Sequence, residues 1–267
     1  MRELSLDELR EVELDILKTF NNFCKENKIK YYLSNGTLLG AVKYRGFIPW
    51  DDDIDVFVPR EDYDRLISIF KDSEKYHLFA FERNERYRYP FAKLCDMTTL
   101  KVEENINNGV ELGVDIDIFP MDAWDSDFEK AKKEADKIKK TMFYLGISKL
   151  RRPDSRRWAK RVVKQCVMTL LKVYGGSHFV KKIIKVGRCY SLEGSKYCGC
   201  KSWCIYRARE IIPSEVFSDV VQVEFEGGYY PAPIGYDTYL RSLYGDYEKD
   251  PPKEKQKTHH RFKAYRR

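Results

Sequence analysis

Leu6, Leu9, Val12, Ile16, Phe20 and Phe23 recur every three or four residues, the spacing of one helix face. Ser5 and Glu8 stand before them as a capping box, so the spacing predicts a helix over 6–26. The period then changes. Ile29 to Leu33 is short, β-branched and aromatic and reads as a strand. Ser34-Asn35-Gly36 reads as a turn, and Thr37 to Val42 as the start of a helix. Asp53 to Val58 alternates acidic and apolar side chains, the strand period of two, and Pro59 ends it. Glu61 to Lys71 returns to helical spacing.

Residues 76–102 read as short strands around a polar loop, Arg83 to Tyr89. Val114 to Phe119 alternates again and is closed by Pro120. Phe128 to Leu145 predicts a helix with Lys and Glu on one face. Residues 155–188 predict a basic helical pair broken at Gly175-Gly176. Val221 to Phe225 reads as a strand and Tyr236 to Tyr244 as a short helix. The tail from Asp250 is polar and basic and is expected to be loosely held. Helices mixed with short strands predict an α+β fold. We divide it into a catalytic core over 1–150, a basic helical insertion over 151–210 and a C-terminal part over 211–267 that completes the core.

Charge changes the picture in one place. The chain carries a formal +7, but residues 151–188 hold 12 Lys or Arg against a single acid, Asp154. Within them Trp158, Val162, Val163, Cys166, Val167, Leu170, Leu171 and Tyr174 form an apolar helical stripe. Arg156, Arg157, Lys160, Arg161 and Lys164 interleave with it. Two readings stand: a basic amphipathic helix on an anionic membrane surface, or an ordinary helix with a core face and a solvated face. No apolar run approaches the roughly 20 residues that cross a bilayer, and the start lacks the apolar core of a signal peptide. The expected location is the cytoplasm, with peripheral attachment to the inner face of the membrane under the first reading. Seven scattered cysteines fit a reducing compartment. Cys189, Cys198, Cys200 and Cys204 cluster near His178, but Cys-x-Cys-x3-Cys lacks the Cys-x2-Cys hook of a structural zinc site. Buried free thiols are the plainer expectation there.

The candidate chemistry lies in Pro-Trp-Asp-Asp-Asp-Ile-Asp-Val, residues 49–56. Four carboxylates in five positions repel one another and oppose burial unless something pairs with them. A hard divalent cation such as Mg²⁺ or Mn²⁺ is the natural partner. If the strand begins at Asp53, then Asp53 and Asp55 share one face, with Cα atoms about 6.5 Å apart, while Asp52 turns away. Val114 to Phe119 repeats the pattern, with Asp115 and Asp117 on one side and Ile116 and Ile118 on the other. Aspartate is depleted in strands, so two such strands favour a metal site over solvated strand ends. Upstream, Gly36 and Thr37 stand between a strand and a helix, where free N–H groups can meet a phosphate. An ordinary turn would look the same in isolation.

Three stretches carry a family resemblance. They are Tyr31-Tyr32-Leu33-Ser34-Asn35-Gly36-Thr37-Leu38-Leu39-Gly40-Ala41-Val42-Lys43 with Gly46-Phe47-Ile48-Pro49-Trp50-Asp51-Asp52-Asp53-Ile54-Asp55-Val56, then Ile116 to Asp122, then Tyr239 to Tyr247 with Pro251-Pro252 and His259-His260. Together they closely resemble the LicD family. The resemblance spans nearly the whole chain and is weakest over about 151–210. It implies a nucleotidyltransferase-like fold related to the catalytic domains of fukutin and fukutin-related protein. It also implies transfer of a substituted phosphate from a CDP-linked donor to a sugar hydroxyl. The best-known case is phosphocholine, moved from CDP-choline to teichoic acid or lipopolysaccharide. Carried onto this chain, Asp53 and Asp55 become the metal pair and Asp117 the third carboxylate. A lipid-linked glycan would be the acceptor. Lys93 is a further candidate phosphate ligand, although a strand-edge surface lysine would look the same. Choline calls for aromatic or acidic walls, for which Trp50, Tyr229, Tyr230 and Tyr244 are candidates among 38 aromatics.

Rivals remain open. Another CDP donor, such as CDP-ribitol or CDP-glycerol, would use the same site, as would nucleotidyl transfer. Nucleic-acid binding through 151–188 and the tail is a distant rival, because no helix-turn-helix, zinc-finger or RNP-type signature is present. No nucleic-acid partner is expected.

Overall fold

The computed structural model describes residues 1–153, 158–258 and 262–267. Its strands are β1 (Arg2–Glu3), β2 (Tyr32–Leu33), β3 (Asp55–Pro59), β4 (Tyr76–Phe79), β5 (Ala92–Glu103), β6 (Leu112–Ala123), β7 (Tyr197–Cys200), β8 (Ile212–Pro213), β9 (Val220–Phe225), β10 (Gly228–Pro233) and β11 (Phe262–Arg266). Its helices are α1 (Leu6–Glu26), α2 (Asn35–Tyr44), α3 (Arg60–Ile69), α4 (Phe128–Lys149), α5 (Trp158–Tyr174), α6 (Gly176–Gly187) and α7 (Tyr236–Tyr244). The architecture is the α+β type that the sequence predicts.

One mixed sheet runs β1-β11-β5-β6-β3-β2, with β4 beside β5 and with β7 joining β6 to β8. The β3–β6 pair is parallel and β5–β6 antiparallel. The two acidic strands are neighbours, and register sets Asp55 directly opposite Asp117. Their alternate residues Ile54, Val56, Ile116 and Ile118 are fully buried in the core, as strand alternation requires. The α1 capping box forms: Ser5 Oγ accepts from Glu8 N at 3.2 Å, and Glu8 returns the bond to Ser5 N at 2.9 Å.

Several expectations need correction. Pro120 does not end its strand. It falls where the ladder of β6 passes from β5 to β7, a break that tolerates a residue without an N–H. The tail is not loose, because β11 pairs with β5 and with β1. The strand β10 was not legible as such, since prolines stand at two of its six positions. The strand with the acid cluster starts at Asp55, so residues 51–53 form a loop.

Arg60, at the start of α3, makes a two-pronged pair with Asp122 at the end of β6, at 2.7 and 2.9 Å. Asp122 is fully buried, and a Cβ on Gly187 of α6 would stand 2.6 Å from its Oδ2. This pair therefore ties α3 to the sheet where α6 packs closely against it. Asp122→Asn strips the charge and leaves buried Arg60 with only Asp64, at 3.6 Å, as a counterion. Urea denaturation should show a loss of about 3–5 kcal/mol, most of it recovered by adding Arg60→Met. A loss below about 0.5 kcal/mol would remove the pair as a tie.

Candidate active site

Two chambers meet at the acidic face of the sheet. The larger is a cleft of about 740 Å³ whose walls include Asn35, Gly36, Trp50, Asp51, Asp53, Asp55, Asp117, Tyr206, Glu210 and Tyr244. The second, about 550 Å³, is lined by Tyr89, Phe91, Lys93, Lys101, Glu103, Glu104, Asp115 and Phe262 among others. Asp53, Asp117 and Trp203 line both and form the boundary between them. Asp53, Asp55 and Asp117 thus come together as the sequence predicts.

The chain fixes Asp55 from its own N-terminal side. Asp55 N donates to the Thr37 hydroxyl at 2.8 Å, and Ser34 N donates to Asp55 O at 3.0 Å. The Asn35 side chain beside it favours the ionised Asp55 carboxylate. Asn35 is held in turn by Tyr239, whose hydroxyl donates to Asn35 Oδ1 at 2.9 Å. Thr37 is buried and does not line either chamber. The structure makes it a positioning residue for Asp55, whereas Gly36 does face the cleft. A Cβ on Gly36 would stand 2.6 Å from Asp51 Oδ2, so the bare backbone makes room for that carboxylate.

Other braces carried no clear sequence signal. Arg10 of α1 donates to the carbonyls of Ile48, Pro49 and Asp51, at 2.7 to 3.1 Å for its Nη2. Glu226, in the β9–β10 turn, accepts from Phe47 N at 3.0 Å. Thr258 donates to Asp52 Oδ1 at 2.7 Å, bringing the C-terminal segment onto the acid loop. Asp52 does not turn away from its neighbours, because a loop has no strand alternation to impose. Oxygens of Asp51, Asp52 and Asp53 lie within 4.8 Å of one another.

The electrostatics follow from burial. Burial, then the charges of Asp53, Asp117 and Asp51, push the Asp55 carboxyl well above its usual range. Burial also pushes Asp117 up to about 6, against the pull of Lys93. Asp115 moves the other way: burial opposes ionisation, but Lys101 and Lys93 together outweigh it. Lys93 is not an edge lysine. It is buried in mid-sheet, 2.8 Å from Asp115 and in contact with Asp117. Lys101 reaches Asp115 at 3.2 Å, completing a buried row of alternating charge. Glu13 of α1, also buried nearby, has its carboxyl raised chiefly by burial. An oxygen-only donor set whose members repel one another on a cleft wall fits a hard divalent cation.

The remaining candidates divide. Trp50 and Tyr244 line the larger cleft. Tyr229 is exposed and Tyr230 buried in the β9–β10 hairpin, and neither lines a chamber. Tyr89, Phe91 and Trp203, not singled out from sequence, form the aromatic wall of the second chamber. Cys198, Cys200 and Cys204 are buried while Cys189 is exposed. Burial pushes the Cys198 thiol up to about 12 and raises the Cys200 thiol as well, away from the thiolate a metal would need. Among the described residues, these cysteines assemble no metal-sized group. His259 and His260 lie outside the described residues, as do Arg156 and Arg157.

With this geometry in hand, comparison with known proteins is specific. Residues 28–164 match the family model described as LicD/FKTN/FKRP, nucleotidyltransferase domain. The chain belongs to the LicD family. It is 30% identical, over 99% of both chains, to the lipopolysaccharide cholinephosphotransferase LicD of Haemophilus influenzae. An uncharacterized Rickettsia prowazekii protein is 38% identical over 26% of each chain. Mannosyltransferase regulator 4 of Saccharomyces cerevisiae is 32% identical over 38% of this chain and 8% of its own length. The family match ends inside α5, so it takes in β3, β5 and β6 and the aspartates Asp51, Asp53, Asp55, Asp115 and Asp117.

Two outcomes follow. Thr37→Val leaves the buried Asp55 N–H without an acceptor. Its stability should fall by about 1–3 kcal/mol in thermal melts, with Thr37→Ser restoring it. Equal melting of Thr37→Val and wild type would refute the pin. Glu210, buried in the cleft wall, has its carboxyl raised to about 8 by burial, against bonds from the Tyr206 and Ile205 backbone. A raised acid favours the fold below its unfolded pKa of about 4.3, and that contribution is lost as pH rises through 8. Stability measured from pH 5 to 8 should therefore decline less steeply in Glu210→Gln than in wild type.

Proposed function

We propose that this chain transfers phosphocholine from CDP-choline to a sugar hydroxyl of a cell-surface glycan precursor, releasing CMP. The observation that carries the reading is the junction of two chambers at Asp53 and Asp117, within a family whose full-length Haemophilus relative is named a lipopolysaccharide cholinephosphotransferase. A transfer between two large substrates needs two chambers with the reacting phosphorus at their boundary.

Asp53 and Asp55, with Asp51 beside them, are the residues to hold Mg²⁺ or Mn²⁺. Such an ion would neutralise charge on the donor pyrophosphate and on the departing CMP. The larger cleft takes the cytidine and its phosphates against Gly36 and the first turn of α2, whose N–H groups favour anions. The acceptor oxygen bonds the choline-bearing phosphorus as the bond from that phosphorus to the CMP oxygen breaks. Asp117 stands where it can take the proton lost by the hydroxyl, and Lys93 holds it in place. Trp203, with Glu103 and Glu104 across the second chamber, offers an aromatic and acidic wall to a quaternary ammonium. A lipid-linked glycan would enter from the same side. Ribitol and glycerol phosphates carry no cation and would draw nothing from that wall.

The test is CMP release with Mg²⁺, a glycan acceptor and a panel of CDP donors. CDP-choline should exceed CDP-ribitol and CDP-glycerol, and Trp203→Ala should raise the KM for CDP-choline about tenfold with kcat less affected. Asp53→Asn should lower turnover by roughly 10²-fold or more without unfolding the chain. Preference for CDP-ribitol would reassign the cargo, and near-normal turnover in folded Asp53→Asn would overturn the site.

A further inference from the structure

Helix α5 faces the wrong way for an ordinary amphipathic helix. At 100° per residue, Trp158, Val162, Val163, Leu170, Val173 and Tyr174 fall within an arc of about 160°. That arc faces solvent: Trp158 is 80% exposed, Val173 82%, Tyr174 70% and Leu170 64%. The opposite side packs inward, where Met168 is fully buried and Leu171 half-buried. The helix thus turns a narrow side carrying Met168 and Leu171 to the protein and its broad apolar side outward. Lys160 and Arg161, both exposed, flank the apolar arc on its two edges.

From this placement we infer that α5 is a docking surface for an anionic lipid bilayer, lying flat in the headgroup region. A rim of bases around an apolar face matches lipid phosphates around acyl chains. Charge also decides against a second copy of the chain as the occupant. Residues 151–188 carry 12 bases and one acid, so self-docking would set two strongly positive segments against each other. The helix lies on the surface and does not span: no helix among the described residues is long and apolar enough to cross a membrane. This surface is separate from both chambers and does not depend on the proposed reaction.

The experiment is flotation of the full chain with phosphatidylcholine vesicles, with and without phosphatidylglycerol. The chain should float with the anionic vesicles at low salt and be released at high salt. Trp158 should enter the headgroup region, so a blue shift of emission should accompany binding and vanish in Trp158→Phe. The double variant Leu170→Glu/Val173→Glu, folded by circular dichroism, should bind about tenfold less or weaker still. Equal binding by that variant, or equal flotation with neutral vesicles, would overturn the inference. So would a lipid-free dimer, seen by sedimentation and dissociated by the same substitutions, because the apolar face would then be a protein interface.

Discussion

A buried lysine makes the acidic face of this sheet foldable. Lys93 sits between Asp115 and Asp117 on the neighbouring strand, and Lys101 closes the far side of Asp115. Without these cations, two carboxylates on β6 would face Asp55 across the parallel pair with nothing to oppose their repulsion. Two lysines share Asp115, so its charge is settled within the protein. Asp117 has only a part of Lys93, and its carboxyl stays near 6. The sheet thus neutralises one acid fully and leaves the others for a ligand.

The rest of the chain holds those remaining acids in register. Asp55 is anchored through Thr37 and Ser34, and the adjoining Asn35 is held by Tyr239 of α7. The loop before it is held by Arg10 from the first helix and by Glu226 from the hairpin. Residues more than 150 positions apart therefore converge on the loop and strand over residues 47–55 and on the neighbouring Asn35. Repulsion among these acids is the stored asymmetry: a bound cation would relieve it, and the fold keeps the carboxylates from relaxing apart.

Much of this was legible in the sequence. Alternation identified β3 and β6, because a buried strand exposes its period directly, and the family resemblance chose Asp117 over Asp115 as the third carboxylate beside Asp53 and Asp55. The capping box and α7 were legible for the same local reason. What was not legible depended on distant partners. Lys93 read equally as a phosphate ligand or an edge lysine because sequence does not say which strands flank β5. Thr37 looked like a phosphate contact because its partner, the Asp55 N–H, is eighteen residues away. Asp52 lines neither chamber, as expected, but through its bond from Thr258 in a loop and not through an alternation that starts only at Asp55. The tail looked loose because β11 is paired with strands from the other end of the chain. In α5 the apolar stripe was visible, but its outward direction was not, since a stripe shows only that two faces differ.

The central claim is that the acids around Asp53 and Asp55 form a divalent-cation site at the boundary of two chambers. Anomalous scattering from crystals grown with Mn²⁺ tests it most directly. The account predicts a peak among the carboxylate oxygens of Asp53 and Asp55, within reach of Asp51 or Asp117. Well-ordered crystals with those carboxylates resolved and no peak there would contradict it.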